Sequence, residues 1–370
     1  MYQQAAAFFI PRGGLVTAPT GVPSPLDRGR RIVSNLRASN LTIYDPITIG
    51  DPRLWLPAPE LEAVLRDLIV GLDLNGLPLR SRSKKVKEHV AAALGYPVPT
   101  SFKKTQPRFV GQNCDVYTQK ATNFQVWNEE LNPTRRYALL HVSPDHVVDA
   151  VKVVTGERLA ELDTTGTLTQ KYQARFIPGA LNDVELLSPV DTPAVRAITG
   201  TSGAPGARSV DYPSVGAVRP IAEIFAALRT LAGQSFRDRG YTQDRNRGGD
   251  LHRLVCTALG YADFEDDGSC PDVKHQLLEI KLQTSPTIDL GLVCPNSNDP
   301  LDIPLVGTTQ IRHADLRYLI VGARTDGATV TIERVYLVTG EHFFSHFPQF
   351  GGKVLNKKLQ MHLPARFFDD

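Results

Sequence analysis

The sequence predicts a protein of the α/β class (α+β overall) that consists of two consecutive domains, each containing helices and strands. In both halves of the 370-residue chain, apolar residues recur with helical spacing and later form largely continuous strand-like runs. Between the halves, residues 198–216 (ITGTSGAPGARSVDYPSVG) are rich in Gly, Ser and Pro and follow no period, which is typical of a linker. We therefore expect an irregular N-terminal extension (1–39), a first domain (40–195), this linker and a second domain (217–370).

The first domain is predicted to begin with helices and to continue with strands. Apolar positions from Leu61 to Leu72, and again from Val86 to Leu94, recur at helical spacing. The aliphatic runs Tyr137–Val142 and Val147–Val154 are separated by turn residues, which predicts a β-hairpin. Residues 164–176 are predicted to form a turn followed by a strand.

The second domain is predicted to begin with two helices and to continue with several strands. The first helix starts at Pro220, because proline is favoured at the first helical position. The second spans Leu251–Leu259, with Asp250 as its N-cap. The strand-like runs that follow are Cys270–Val273, Leu277–Gln283, Leu316–Ala323 and Val330–Val338. No internal repeat is evident in the sequence.

Composition excludes several classes of protein. Hydrophobic residues make up 42% of the chain and charged residues 22%, so disorder of the whole chain is excluded. No uncharged apolar run reaches the roughly 18 residues that span a bilayer, so an integral membrane protein is not expected. The four cysteines form no CxxC pair, which excludes a zinc ribbon and favours reduced thiols in a cytoplasmic protein.

The net charge of +2 hides an uneven distribution of charge along the chain. A basic cluster in the first domain is opposed only by Glu88. Its members are Arg80, Arg82, Lys84, Lys85, Lys87, Lys103, Lys104 and Arg108. An acidic run in the second domain, from Asp263 to Asp272, contains no basic residue. Basic surfaces beside a concentrated acidic site suit an enzyme that acts on a polyanion with a metal ion.

The most informative segment is 267–283, DGSCPDVKHQLLEIKLQ. Side chains alternate along a strand, so the apolar residues from Leu278 to Leu282 share one face, while Glu279, Lys281 and Gln283 share the other. A short turn at residues 274–276 is predicted to fold Asp272 back beside Glu279. Two carboxylates and one ammonium group are therefore expected to meet on the polar face.

This segment resembles the active-site hairpin of the PD-(D/E)XK nuclease superfamily, to which many type II restriction endonucleases belong. Pro271-Asp272 matches the first half of the motif, and Glu279-Ile280-Lys281 matches the second. The resemblance covers residues 248–283 well and 284–370 loosely, and it implies a restriction-endonuclease-like core, a mixed β-sheet flanked by helices. It also implies Asp272, Glu279 and Lys281 as catalytic residues. A hard cation, Mg²⁺ above all, suits the carboxylates of Asp272 and Glu279 together with the Ile280 carbonyl.

Several other residues are candidates for lesser roles. Gln283 and Asp250 are candidate accessory residues, although Gln283 is equally interpreted as a plain polar neighbour and Asp250 is better interpreted as a helix N-cap. Asp267 is an alternative metal ligand, and His275 is expected to be exposed rather than catalytic. A second acid–lysine pair, Asp149 and Lys152, has the spacing D-x-x-K, which places the two side chains on opposite faces of a strand. We therefore reject it as a site.

The first domain is predicted to be an α+β DNA-recognition domain. Its basic cluster suits phosphate contacts, and residues 111–117 and 123–128 are dense in Asn, Gln and aromatic residues. Because Asn and Gln can pair with adenine through two hydrogen bonds, these segments are candidates for reading bases. Amide-rich loops are also common in ordinary turns, so the two interpretations remain open.

Taken together, the sequence predicts a Mg²⁺-dependent, sequence-specific endonuclease of the type II restriction kind that cuts double-stranded DNA. We expect a homodimer on DNA and a cognate DNA methyltransferase as the genetic partner, since host DNA needs protection. Two alternatives stay open: a repair or recombination nuclease that reads DNA structure, and a non-enzymatic DNA-binding regulator.

Overall fold

The computed structural model describes residues 23–119, 123–127, 131–162, 169–176, 181–200, 206–238, 244–350, 354–355, 358–364 and 366–369. The helices are α1 Pro25–Ser39, α2 Ala58–Ile69, α3 Leu79–Ala93, α4 Gly156–Glu161, α5 Pro193–Arg196, α6 Ile221–Leu228, α7 Asp244–Leu259 and α8 Phe343–His346. The strands of the first half are β1 Cys114–Gln119, β2 Asn123–Trp127, β3 Arg136–Val142, β4 Val148–Thr155, β5 Thr169–Gln170, β6 Tyr172–Arg175 and β7 Val184–Leu186. Those of the second half are β8 Ser235–Arg237, β9 Leu278–Gln283, β10 Thr287–Gly291, β11 Arg317–Thr325, β12 Thr329–Thr339, β13 Gln349–Phe350, β14 Val354–Leu355 and β15 Lys358–His362.

The first unit consists of α1 to α4 and a mixed sheet of three strands. In this sheet β1 runs parallel to β3, and β3 runs antiparallel to β4. The apolar stripe of α2, which includes Leu61 and Leu65, is buried against the sheet together with Val86 and Val90 of α3. Burial of this kind stabilises a helix more than its intrinsic propensity does. The predicted order of this part of the chain, helices followed by a β-hairpin, is confirmed by α2, α3 and the antiparallel pair of β3 and β4.

The second unit contains α5 to α8 and a larger mixed sheet in the order β7-β12-β11-β9. Strand β9 lies at the edge of the sheet and runs parallel to β11, whereas β12 runs antiparallel to β11. Helices α6 and α7 cover one face, where their apolar residues pack against Leu278, Leu319 and Val335. The chain is thus a mixed α/β protein, as the sequence predicts.

Most predicted elements of the second unit are present, and one is wrong. Strands β9, β11 and β12 coincide with three of the predicted runs. Residues 270–273 form no strand; only Val273 makes an isolated bridge, to Leu278. Pro271 has no N–H group to donate to a ladder, which limits pairing at this point. The helix predicted over 251–259 begins earlier, at Asp244, so Asp250 lies inside α7 and is not its N-cap.

Three features of the structure cross the predicted boundaries of the domains. Within the predicted N-terminal extension, residues 25–39 form α1, whose N-cap Ser24 and Asp27 make a capping box. Strands β6 and β7 lie within the range predicted for the first domain (40–195), but they pair with strands of the second unit. In the predicted linker, Ser209 is fully buried and the Tyr212 hydroxyl donates a hydrogen bond to Glu60 over 2.7 Å. Tyr212 therefore contacts the first unit, and Ser209, whose carbonyl accepts a hydrogen bond from the His275 N–H at 3.1 Å, contacts the second.

The two units share a local architecture that the sequence does not reveal. In each, a short antiparallel bridge encloses one 3₁₀ turn and a residue of left-handed φ, just before the first core strand. These features are the bridge Phe109–Cys114, the turn Val110–Gln112 and Asn113 in the first unit, and the bridge Val273–Leu278, the turn Lys274–Gln276 and Leu277 in the second.

A glutamine at the end of each turn makes the same pair of backbone contacts. The Oε1 atom of Gln112 accepts a hydrogen bond from the Leu56 N–H at 3.1 Å, and that of Gln276 accepts one from the Arg219 N–H at 2.9 Å. In both cases the side-chain Nε2 donates to a carbonyl two residues before that N–H group, the carbonyl of Leu54 for Gln112 and that of Ala217 for Gln276. Each segment leads directly into a helix, α2 or α6, that has a proline as its N-cap.

A buried arginine completes the match between the two units. Arg136 and Arg317 begin β3 and β11, and each is paired with the first residue of its parallel neighbour. Arg136 donates to the carbonyl of Gln112 and to that of Leu56, just before α2. Arg317 donates in the same way to the carbonyl of Gln276 and to that of Arg219, just before α6. Each also lies beside an aspartate, Asp302 or Asp191, whose Oδ2 accepts the first N–H of that helix. The expectation that the chain has no internal repeat is therefore wrong at the level of structure.

Among the described residues, no helix is both long and apolar enough to cross a lipid bilayer.

Candidate active site

Strand β9 separates an apolar face from a polar face, as the alternation of its residues predicts. Leu278 is fully buried, and Ile280 and Leu282 pack against the same core beneath α7. On the opposite face the Nζ atom of Lys281 lies 2.7 Å from Oε1 of Glu279. The side chain of Glu279 is only 10% exposed and that of Lys281 24%, so the pair is largely shielded from solvent.

The turn before β9 brings Asp272 to the same place. Leu277 adopts a left-handed conformation (φ 52°), which reverses the chain between Val273 and Leu278. As a result, the Oδ2 atom of Asp272 accepts a hydrogen bond from the Ile280 N–H at 2.7 Å, and the Asp272 N–H lies 3.3 Å from Oε2 of Glu279. The three residues that the sequence analysis selects are thus assembled by one local hairpin.

The electrostatics of this cluster are those of two like charges held close to one cation. Burial, together with the neighbouring carboxylate of Glu279, raises the pKa of Asp272 well above its ordinary value, although Lys281 opposes the shift. Burial alone would lower the pKa of Lys281, but Glu279 and Asp272 outweigh it and raise that pKa. Lys281 therefore remains an ammonium group, while the two carboxylates repel each other.

The donor set fits a hard divalent cation. Within the described residues, no group of three His, Cys, Asp or Glu side chains is placed to hold a metal ion. The candidate ligands at the hairpin are the two carboxylates of Asp272 and Glu279 and the backbone carbonyl of Ile280, all of them oxygen atoms, which Mg²⁺ prefers. A cation between the carboxylates would offset the repulsion from Glu279, which adds to the effect of burial in raising the pKa of Asp272.

A further carboxylate near the site comes from the first unit and was missed in the sequence analysis. Glu157 lies in α4, and its Oε1 accepts hydrogen bonds from the backbone N–H groups of Leu292 and Val293 at 3.1 and 3.3 Å. Burial raises the pKa of Glu157 to about 7; Lys281 lowers it and Glu279 raises it further. No local pattern marks this residue, because its neighbours at the site lie far away in the sequence.

The other candidates of the acidic run and the turn have structural roles. The Oδ2 atom of Asp267 lies 2.5 Å from Nζ of Lys274, and its Oδ1 accepts from Ser269. Burial would raise the pKa of Asp267, but Lys274 and Ser269 lower it overall. Asp267 is thus held by a partner of opposite charge, and Asp272 is the better ligand.

The prediction that His275 is exposed is wrong. Its ring is 5% exposed, and its Nδ1 lies 2.8 Å from the hydroxyl of Tyr261. Burial lowers the pKa of His275, which favours the neutral ring. The side chain therefore helps to fix the turn. It takes no part in the acid–lysine cluster.

The two candidate accessory residues differ in their relation to the site. Gln283 is half-buried at the end of β9, on the face of Glu279 and Lys281, and is paired with Gly322 of β11. Asp250 is half-buried in the middle of α7. The rejected pair is also accounted for: Asp149 lies 2.6 Å from His141 Nδ1, and Lys152 lies 3.9 Å from Glu62.

The basic cluster of the first unit does not form one uniform face. Lys84, Lys85, Lys103 and Lys104 are exposed. Arg82, Lys87 and Arg108 are half-buried. The Nη1 atom of Arg82 lies 3.1 Å from His146 Nδ1, and burial followed by the charge of Arg108 lowers the pKa of Lys87. The side chain of Arg80 lies outside the described residues.

The amide-rich segment of the first unit is largely structural. Gln112 is fully buried and its amide is used in contacts with Leu54, Leu56 and Tyr96, so it is not available for reading bases. Asn113 donates to the Thr134 carbonyl at 3.2 Å. Residue 128 of the second segment lies outside the described residues, as do the side chains of Asn123 and Gln125. The adenine-reading interpretation is therefore wrong for Gln112.

Comparison with known proteins gives no match, whether with family models, with curated proteins or with solved structures.

Proposed function

We propose that this protein is a Mg²⁺-dependent endonuclease that hydrolyses phosphodiester bonds of double-stranded DNA at specific sites, as type II restriction enzymes do. The observation that carries the proposal is the convergence of Asp272, Glu279 and Lys281 on one hairpin at the edge of the second sheet. The order D, then E-x-K, resembles the PD-(D/E)XK motif, and β9 runs parallel to the next core strand, β11.

In this proposal Asp272, Glu279 and the Ile280 carbonyl hold Mg²⁺. The ion would polarise the scissile phosphate and lower the pKa of a water molecule. Lys281 is kept protonated by the two carboxylates beside it. It therefore donates hydrogen bonds, which orient the attacking water or bind a non-bridging phosphate oxygen and stabilise the charge that develops there.

The first unit is proposed to bind the DNA duplex. Its exposed lysines suit contacts with phosphates, because an ammonium group is a point charge that carries little information about base identity. A homodimer and a cognate DNA methyltransferase as the genetic partner remain part of the proposal.

Digestion of plasmid DNA tests the proposal directly. The purified protein is incubated with supercoiled plasmid in Mg²⁺, in Ca²⁺ and in EDTA. We expect discrete fragments in Mg²⁺ only, with binding but no cleavage in Ca²⁺, whose coordination geometry is looser.

The other outcomes separate the alternatives. Smears or cuts at branched DNA would favour a nuclease that reads DNA structure. Binding without cleavage in every divalent metal would favour a DNA-binding regulator. A methyltransferase gene beside the gene of this protein would support the restriction assignment, since a sequence-specific nuclease endangers its host DNA.

A further inference from the structure

The hairpin that carries the acid–lysine cluster in the second unit has other side chains at the corresponding positions in the first unit. Because the two units share the turn, the glutamine and the buried arginine, their residues correspond one to one along this hairpin. Arg108 stands where the second unit has Asp272, and both donate their N–H to the acid of the following strand, at 2.9 and 3.3 Å. That acid is Asp115 in the first unit and Glu279 in the second, each of them the second residue of its strand.

The carboxylate that remains in the first unit is neutralised by a side chain of the protein. The Oδ2 atom of Asp115 lies 3.0 Å from Nη1 of Arg135, and the two side chains are 3% and 9% exposed. A guanidinium group thus neutralises this carboxylate, whereas a metal ion is proposed to neutralise Glu279. With Arg108 in place of the second acid, the two carboxylates that a divalent cation needs are not both present here.

The lysine of the cluster is also replaced. Tyr117 stands where the second unit has Lys281, since each is the fourth residue of its strand. The ring of Tyr117 lies 5.9 Å from that of Tyr137 and 5.2 Å from that of Phe124, so it packs in an aromatic group. An aromatic side chain packed among other rings therefore takes the place of the ammonium group that is proposed to act on a phosphate.

The charge of the adjoining loop is reversed between the units. In the first unit the loop joins Tyr96, which follows α3, to the start of the hairpin, and in the second it joins Tyr261, which follows α7, to the start of the hairpin. Residues 97–108 of the first unit contain three basic residues and no acid, whereas residues 262–272 of the second contain five acids and no base. Of the three basic residues, Lys103 and Lys104 are exposed and Arg108 is half-buried, with Lys103 Nζ 4.6 Å from the centre of the Tyr44 ring. A positive loop attracts phosphates without a metal ion.

We propose that the first unit is a catalytically inactive copy of the second, and that its positive loop, with Lys103, Lys104 and Arg108, binds the phosphate backbone of duplex DNA without a metal ion. This inference rests on the proposed function and adds to it the surface that holds the substrate. Each chain then has one cleaving unit, which needs Mg²⁺, and one binding unit, which does not.

Binding of duplex DNA in EDTA tests the inference separately from cleavage. Fluorescence anisotropy is measured with a labelled duplex over a range of NaCl concentrations, for the wild type and for the triple variant K103A/K104A/R108A. We expect the variant to bind at least about tenfold more weakly at 0.1 M salt, and its log–log salt dependence to fall by roughly two to three. The matched control is R324A/R334A, which removes two exposed arginines from the second unit and should leave the slope unchanged.

The outcomes distinguish this inference from the proposed function. An unchanged salt slope in the triple variant, or an equal loss in the control, overturns the inference, and so does a wild type that binds no duplex in EDTA. The proposed function stands or falls independently, on plasmid cleavage in Mg²⁺. If the triple variant does not fold, as judged by circular dichroism, the exposed single variants K103E and K104E take its place, each with an expected loss of at least about threefold in affinity.

Discussion

The Nε atom of Arg317 lies 2.6 Å from Oδ1 of Asp191, and both side chains are almost completely buried. The guanidinium group also donates to the carbonyls of Gln276 and Arg219, each at 2.7 Å. This single side chain therefore joins the start of β11 to the turn that precedes β9 and to the segment that precedes α6. The geometry of the acid–lysine hairpin depends on it, although among the described residues its hydrogen bonds and ion pair go to Asp191, Gln276 and Arg219 rather than to Glu279 or Lys281.

Replacement of Arg317 is expected to destabilise the fold strongly. Arg317→Ala leaves the carboxylate of Asp191 buried without its partner, which costs about 3–5 kcal/mol of unfolding free energy. Urea unfolding followed by circular dichroism measures the effect. The control is Arg324→Ala, because Arg324 is 71% exposed and its ion pair with Glu333 contributes at most about 1 kcal/mol. Equal losses in the two variants would contradict the role assigned to the buried pair.

Replacement of the acid–lysine residues is expected to abolish cleavage while the fold is retained. Asp272→Asn and Glu279→Gln keep the shape of the side chain but remove its charge, and Lys281→Met removes the ammonium group. Each should lower the rate of DNA cleavage by at least about a hundredfold, the usual effect of losing one acid–base or electrostatic group. Cleavage is measured with excess enzyme over plasmid, and folding is checked by the melting temperature.

Two further measurements make this prediction specific. Without metal, the carboxylate variants should bind DNA as tightly as the wild type or more tightly, because repulsion from the phosphates falls. Asp149→Asn serves as the control, since Asp149 is paired with His141 in the first unit and belongs to the rejected D-x-x-K pair. Full cleavage by the double variant E279Q/K281M would end the nuclease proposal.

Much of the fold could be predicted because it is local. Helices α2 and α3 and strands β3, β4, β9, β11 and β12 follow from the spacing of apolar residues. The acid–lysine hairpin could be predicted for the same reason, since Asp272 and Lys281 are joined by one short turn. What could not be predicted depends on distant partners: β6 pairs with β10 and β13, and Glu157 reaches the site from another unit.

The repeat escaped the sequence analysis for a related reason. The two units share backbone geometry and a few polar side chains, Gln112 with Gln276 and Arg136 with Arg317, whose roles are evident only when their contacts are known. An inspection of hydropathy places these four residues at the surface, yet all four are buried. Near these four residues, the side chains at corresponding positions of the two hairpins differ in charge and type. The two units are therefore not similar in sequence there.

The pKa of Glu157 predicts how stability depends on pH. Burial raises it to about 7, whereas an exposed glutamate in the unfolded chain titrates near 4.3. Between these values the folded protein binds more protons than the unfolded chain, so the unfolding free energy falls as pH rises through this window and levels off above about 7. The decrease due to Glu157 is on the order of 3 kcal/mol.

The variant Glu157→Gln isolates this contribution. Its amide oxygen can still accept the hydrogen bonds of Leu292 and Val293, but the side chain has no charge to bury. Urea unfolding in EDTA at pH 4.5, 6, 7 and 8 gives the difference in unfolding free energy between variant and wild type. We expect this difference to favour the variant increasingly as pH rises. Titrating groups that do not interact with Glu157 are present in both proteins and cancel. A difference that is constant with pH would contradict the assignment.

The final prediction concerns assembly on DNA. Within the described part of the chain there is one acid–lysine cluster of this kind, in the second unit, and the corresponding position in the first unit holds Arg108 and Tyr117. One chain thus provides one cutting site, and a concerted break of both strands of a palindromic sequence is most simply made by two chains related by a two-fold axis. We expect sedimentation velocity in Ca²⁺ to show two protein chains on one specific duplex.

A mixing experiment gives this prediction a kinetic counterpart. When wild-type protein is mixed with an excess of the E279Q variant, mixed dimers have one active site and should convert supercoiled plasmid mainly to the nicked form. Because the variant retains its binding surface, it competes for the same sites, and the yield of linear product should fall as the square of the wild-type fraction. A yield that falls in direct proportion to the wild-type fraction would mean that one chain cuts both strands, and it would overturn the dimer.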